Sequence, residues 1–179
     1  MVNKAEIRQY LTFKLADEQY AINVANIKEV LGIPKITKVP RMPPFMTGII
    51  NLRGSVVPIL DLKKKFALGE TIIGKETGII VIELAGKDGE GNDEQLVVGI
   101  FSDEVQKVIT IEESEIEGPP QIGIAIDTAF IQGMGHVDGG FIIILNIDKI
   151  LTDSEIHAIA EQGDQSELAM ENTVEGTDA

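Results

Sequence analysis

The sequence predicts an all-β chain folded as small barrels, and three observations support this. Short apolar runs alternate with glycine- and proline-rich turns through most of residues 7–151, the rhythm of small barrels. The segment from Gly48 to Leu62 holds two apolar runs, Gly48–Leu52 and Val56–Leu60, joined through Arg53-Gly54-Ser55. This reads as a tight hairpin with Arg53 at its tip and Gly54 taking a positive φ. The same pattern then recurs. Offset by 85 residues, Phe45, Gly48, Leu52, Gly54, Leu60 and Asp61 fall on Phe130, Gly133, Val137, Gly139, Leu145 and Asn146. A second echo aligns Tyr20–Leu31 with Val98–Ile109 in the same order. The chain therefore reads as an internal duplication of one β unit.

The elements follow in order. Leu11, Phe13 and Leu15 alternate with Thr12 and Lys14, the period of a half-buried strand, and Asp17-Glu18 turns the chain into a second, with Tyr20, Ile22 and Val24 on one side. Ile36–Val39 is a short strand stopped by Pro40, and Pro43-Pro44 can start one helical turn over Phe45 and Met46. After the hairpin, Asp61 can cap a short helix over Leu62–Phe66, whose Lys63-Lys64-Lys65 run reads as a solvated face. Gly78–Leu84, Gln95–Phe101 and Lys107–Ile111 are further strands, the first two separated by a polar loop at Gly86–Asp93. That loop lacks the ligand order of a calcium loop and reads as a turn. Glu112–Gly118 is an acidic connection, and Ile122–Ile126 fits no single element. Thr152-Asp153-Ser154-Glu155 is a capping box opening a helix over Asp153–Glu161, with Ile156 and Ile159 on one face. The polar stretch beyond Gly163 is expected to be a disordered acidic tail.

The expected organisation is one domain over 1–151, made of similar halves at about 7–75 and 76–151, followed by the helix and tail at 152–179. Whether strands cross from one half to the other is left open by the sequence.

Composition narrows the function. At 44% hydrophobic, 179 residues can bury a core. Cysteine is absent, which removes disulfides, thiolate catalysis and Cys-ligated zinc and fits a reducing cytoplasm. Met1–Gln9 is polar, so no signal peptide is expected, and no apolar run is long enough for a membrane helix. The net charge is −14, and from Thr152 onward there are eight acidic residues and no basic one, so taking those eight away leaves −6 on residues 1–151. That balance argues against a nucleic-acid partner.

Catalytic constellations do not stand out. His136 and His157 are the only histidines and have no ligand spacing. No nucleophile elbow, phosphate loop or dinucleotide fingerprint occurs. Asp61 and Asp103 are imaginable as an acid–base pair, but Asp61 is better explained as a cap. The expectation is a protein without catalysis, cofactor or metal.

Taken together, Tyr10-Leu11-Thr12-Phe13, Tyr20-Ala21-Ile22, Val39-Pro40, the block Gly48-Ile49-Ile50-Asn51-Leu52-Arg53-Gly54 with Val56-Val57-Pro58-Ile59-Leu60-Asp61-Leu62, Phe130-Ile131, Gly133-Met134-Gly135 and Asp138-Gly139 resemble the CheW family of chemotaxis coupling proteins over about residues 7–151. The resemblance implies two five-stranded, SH3-like barrels side by side. It also implies a cytoplasmic scaffold that links the tips of chemoreceptors to the histidine kinase CheA, whose regulatory domain has the same fold. It places a receptor-contacting surface in a groove between the barrels, with Ile27, Glu29, Gly48, Asn51 and Arg53. Val30 beside Ile27 offers a second apolar anchor for a receptor helix, and Gly54 shapes the tip that carries Arg53. The Arg53 fork suits a carboxylate, either Glu29 or one on a partner; Ile27 reads equally as a core residue. Kinase contacts are expected on barrel edges, without assigned residues. Ser102 at a usually apolar position, Asn146 in place of an aspartate, the long 86–94 loop and the acidic tail depart from the family pattern. The domain also occurs within CheA and CheV, but no phosphotransfer, ATPase or receiver segment is present. An adaptor of a sensory pathway other than motility, a ligand-binding barrel and an enzyme are the competing readings.

Overall fold

The computed structural model describes residues 7–87, 90–119, 128–137 and 139–159. The stretch Ile122–Ile126 and the tail beyond Gly163 lie outside them. Among the described residues ten strands form two five-stranded sheets. In chain order they are β1 (Ile7–Leu15), β2 (Glu18–Asn23), β3 (Ile27–Leu31), β4 (Met46–Leu52), β5 (Ser55–Leu60), β6 (Gly78–Lys87), β7 (Asp93–Ser102), β8 (Glu104–Glu112), β9 (Ile131–Val137) and β10 (Gly140–Leu145). A one-turn helix α1 (Leu62–Lys65) follows β5, and residues 153–159 are helical.

One sheet runs β8-β1-β2-β10-β9 and the other β3-β6-β7-β5-β4. The second half of the chain repeats the strand roles of the first, but the hairpins trade places. β1–β2 joins β8, β9 and β10, while β6–β7 joins β3, β4 and β5. Matching bulges mark the duplication: the register shifts between Met46 and Gly48 opposite Leu60–Ile59, and between Ile131 and Gly133 opposite Leu145–Ile144. Each sheet also has one parallel pairing, β5 with β7 through Ile59–Gly99 and β10 with β2 through Ile144–Ala21.

Among the described residues, one isolated bridge closes each barrel. Thr37 N–H donates to Ile49 O (2.9 Å) and Ile49 N–H to Thr37 O (2.8 Å), which brings the segment after β3 onto β4. Glu117 and Met134 exchange the same pair of bonds (2.9 and 2.8 Å) on the other barrel. Ile36–Val39 is thus a lone bridge rather than a strand, because Pro34 and Pro40 limit ladder pairing on either side. The glycines opposite these bridges permit the approach. A Cβ on Gly48 would stand 2.4 Å from Thr37 O, and one on Gly133 2.7 Å from Glu117 O.

Among the described residues three apolar clusters form the core. Ile50, Val57, Ile59, Ile79, Val81 and Phe101 form the interior of one barrel, and Tyr10, Ala21, Ile111, Ile142 and Ile144 that of the other. The largest cluster draws on both sheets. Leu11, Phe13, Leu15, Tyr20 and Ile22 meet Leu60, Ile80, Ile82, Val98 and Ile100 there, together with Ile156 and Ile159. This explains why β1 and β2 are buried on both faces despite their alternating sequence: one face lines a barrel and the other the shared core. Each fully buried Ile or Leu contributes about 1.5–3 kcal/mol, so the two barrels are held together by a core larger than either interior.

The β6–β7 hairpin is longer than the sequence suggests, with Gly86 opposite Glu94 and Lys87 opposite Asp93. The lysine run is also not a solvated face. Lys63 Nζ lies 3.1 Å from Asp103 and Lys65 Nζ 2.7 Å from Glu155, and both side chains are largely buried. Only Lys64, paired with Glu70 at 3.1 Å, sits toward solvent. Only one of the three lysines on this one-turn helix faces solvent, so the other two find carboxylates within the fold. Asp61 acts as the expected cap, accepting from Lys63 N–H (3.1 Å), and is itself buried beneath Thr71, which donates through N–H (2.9 Å) and Oγ1 (2.8 Å).

Candidate docking surface

The β4–β5 hairpin turns through Arg53 and Gly54, with φ of 51° and 87°. Both central residues therefore have the positive φ that a type I′ turn needs, the turn whose twist matches the flanking strands. Asn51 steadies it, its Oδ1 accepting from Gly54 N–H at 2.9 Å. Arginine rarely occupies this backbone region, and such residues gather at functional sites.

Arg53 is held by Glu29 of β3. Nη1 donates to Oε2 at 2.6 Å and Nη2 to Oε1 at 3.1 Å, the two-pronged geometry of a strong charge-assisted pair. A bulge between Ile27 and Glu29 on β3 re-aims the strand so that Glu29 meets the hairpin tip. The Arg53 side chain remains 75% exposed and Glu29 24%, so the guanidinium faces outward while its partner is partly sunk.

The pair stands at the rim of a cleft of about 470 Å³. Its floor and walls come from the barrel that carries β4 and β5, through Leu52, Val56, Val57, Pro58, Val81, Leu96 and Val97, with Lys28 and Glu94 at its edge and Ile159 of the C-terminal helix behind. The cleft thus rests on one barrel and the helix.

The residues expected from the sequence divide into two groups here. Glu29, Asn51, Arg53 and Gly54 are brought together at the rim. Val30 is exposed on the adjoining strand at 45%. Ile27 is half-buried and packs against the shared core. Gly48 is buried under Thr37, so its place in the fold is to allow barrel closure. Sequence reasoning missed Lys28, the apolar cleft wall of Leu96 and Val97, and the contribution of Ile159. Leu96 and Val97 read as ordinary strand residues, and only the position of the C-terminal helix makes them a wall.

The CheW-like domain family matches residues 9–155. The chain belongs to the CheW-like family. The chemotaxis protein CheW of Klebsiella aerogenes is 31% identical over 149 residues, covering 83% of this chain and 84% of that protein. The CheW of Bacillus subtilis is 41% identical over 127 residues, 69% of this chain and 75% of its own. The crystal structure of the scaffolding protein TtCheW from Thermoanaerobacter tengcongensis superposes with a TM-score of 0.71 at 34% identity, over 87% of this chain and 94% of its own. The two sheets are therefore those of the CheW fold, with its SH3-like barrels. Among the described residues no helix is long and apolar enough to cross a membrane.

Proposed function

We propose that this CheW-like chain is a non-catalytic coupling scaffold of chemotaxis, which in the cytoplasm links the tips of chemoreceptors to the histidine kinase CheA. The observation that carries the reading is the Arg53–Glu29 fork, fixed on a rigid hairpin tip beside an apolar cleft. A receptor helix can lay an apolar side chain into the cleft while Arg53 meets a carboxylate, a helix-in-groove mode with a charged rim. Glu29, Asn51, Arg53 and Gly54 form or support that surface, Ile27 and Val30 stand on the opposite face of β3, paired with Ile82 and Ile80 of the shared core, and Gly48 serves barrel closure. The shared core suits a scaffold, because two partners held on separate barrels keep a fixed geometry only if the barrels move as one body. No cofactor or metal enters this role.

Co-sedimentation of CheA with receptor-containing membranes, with and without the chain, tests the proposal. The chain should bring the kinase to the membranes and couple its activity to receptor ligand. Kinase recruitment unaffected by the chain contradicts it.

A further inference from the structure

We propose that the helix at residues 153–159 is a latch on the Arg53 cleft: anchored by its first turn to the junction of the two barrels, it reaches the cleft wall at Ile159, and its docking sets how well a partner seats there. The inference rests on the reading of that cleft as the receptor-docking surface.

The first turn is tied down twice. Thr152 Oγ1 accepts from Glu155 N–H (3.2 Å) and Glu155 Oε1 accepts from Thr152 N–H (2.9 Å), the reciprocal capping box. The same carboxylate takes Lys65 Nζ on both oxygens, at 2.8 and 2.7 Å. Lys65 is only 9% exposed, and its Nζ sits 4.3 Å from the centre of the Phe45 ring and 5.5 Å from that of Phe130. Phe45 leads into β4 and Phe130 into β9, equivalent points of the duplication on opposite barrels. One ammonium therefore joins the helix to both repeats. Removing the Glu155 charge leaves the largely buried Lys65 ammonium without its ion-pair partner.

Residues 156–159 lead to the cleft. Ile156 and Ile159 are buried in the shared core, against which Val56 and Leu96 also pack. A Cβ on Gly86 would lie 3.1 Å from Ile156, so the helix presses on the β6–β7 hairpin where Gly86 pairs with Glu94. Glu94, Leu96 and Val97 of β7, Val56 of β5 and Ile159 itself all line the cleft. Such a helix draws its stability mostly from tertiary packing. It stays in place only through these contacts, and it is the kind of low-stability element on which switching acts.

Three variants test the latch. Glu155→Gln keeps a capping-box side chain but removes the charge; Lys65→Met keeps the stem beneath the rings without the ammonium; a chain ending at Thr152 removes the helix. Amide hydrogen exchange at residues 94–97, circular dichroism, and titration with a receptor cytoplasmic fragment and with the CheA regulatory domain are measured on each. In the two point variants, with dichroism unchanged, exchange at 94–97 should speed up and receptor affinity fall by about 5- to 150-fold, the usual size of coupling between sites. Kinase affinity should stay level. Wild-type exchange, or wild-type receptor affinity, in both folded point variants overturns the latch. If Arg53→Ala binds receptor normally while Glu155→Gln still speeds exchange, the docking reading of the cleft fails instead, and with it the latch's effect on affinity. Should the shortened chain fail to fold, the point variants decide.

Discussion

Replacing Gly48 with alanine puts a methyl carbon 2.4 Å from Thr37 O and 2.9 Å from Ile36 Cγ2. The obstacle is backbone, which cannot swing aside as a flexible side chain does. Either the Thr37 segment moves off β4, breaking the two bonds of 2.9 and 2.8 Å that close the barrel, or β4 distorts. Overpacking of this kind costs about 1–3 kcal/mol, and each lost backbone bond about 1 kcal/mol, so the sum is about 3–5 kcal/mol. With a urea m-value near ~2 kcal/mol/M for a small domain, the midpoint should fall by about 1.5–2.5 M. Gly54→Ala is the control: nothing lies within 4 Å of its Cβ, and only its φ of +87° opposes the change, at about 1–2 kcal/mol. Gly133→Ala should behave like Gly48→Ala, since its Cβ meets Ile116 and Glu117 in the same way. A Gly48→Ala protein with a wild-type midpoint refutes the steric argument. One that stays fully folded yet no longer binds receptor would make Gly48 part of the contact rather than its support.

Other predictions concern single buried groups and the chain's end. Ser102 is fully buried with an Oγ that has no hydrogen-bond partner, so Ser102→Ala should raise stability by about 1 kcal/mol, read as a higher urea midpoint; a loss would show that the hydroxyl is satisfied. Burial pushes the Glu155 carboxyl up, but the Lys65 bond, the Thr152 bonds and the Lys65 charge outweigh it and hold its pKa below the usual glutamate value. Because the folded pKa is the lower one, this stabilisation is complete above the ordinary value of about 4.3 and fades as pH falls through the folded one; Glu155→Gln should flatten that part of an acid-unfolding profile. Ending the chain at Gly163 should leave both binding reactions unchanged at physiological salt, where charge effects are screened beyond about 8 Å, with any difference confined to low salt.

The hairpin, the duplication and the capping box were legible because each rests on local rules: a glycine at a positive φ, a period-two pattern, a serine/threonine–glutamate spacing. The repeat even placed Phe45 on Phe130 and Gly48 on Gly133, pairs that do equivalent work in the two barrels. Pairing between hairpins was not legible, since alternation states which residues are buried but not which strand lies beside them. That is why β1 and β2 read as half-buried. Their second face is covered by a barrel interior that only the fold creates. The lysine run failed for the same reason: three cations in a row look solvated until Asp103 and Glu155 arrive from 40 and 90 residues away. At the candidate site Arg53 was marked by its turn and by the family pattern. The cleft wall of Leu96, Val97 and Ile159 was not, because it depends on where the C-terminal helix lands.

Titration of a receptor cytoplasmic fragment into the wild-type chain and into Arg53→Ala, with CheA bound and with dichroism matched between the two proteins, tests the account most directly. Arg53 pairs with Glu29 at an exposed hairpin tip, so its loss should leave the fold intact, weaken receptor binding and disrupt the ternary assembly. Wild-type affinity for the receptor fragment, and normal assembly, in a normally folded Arg53→Ala protein would contradict it.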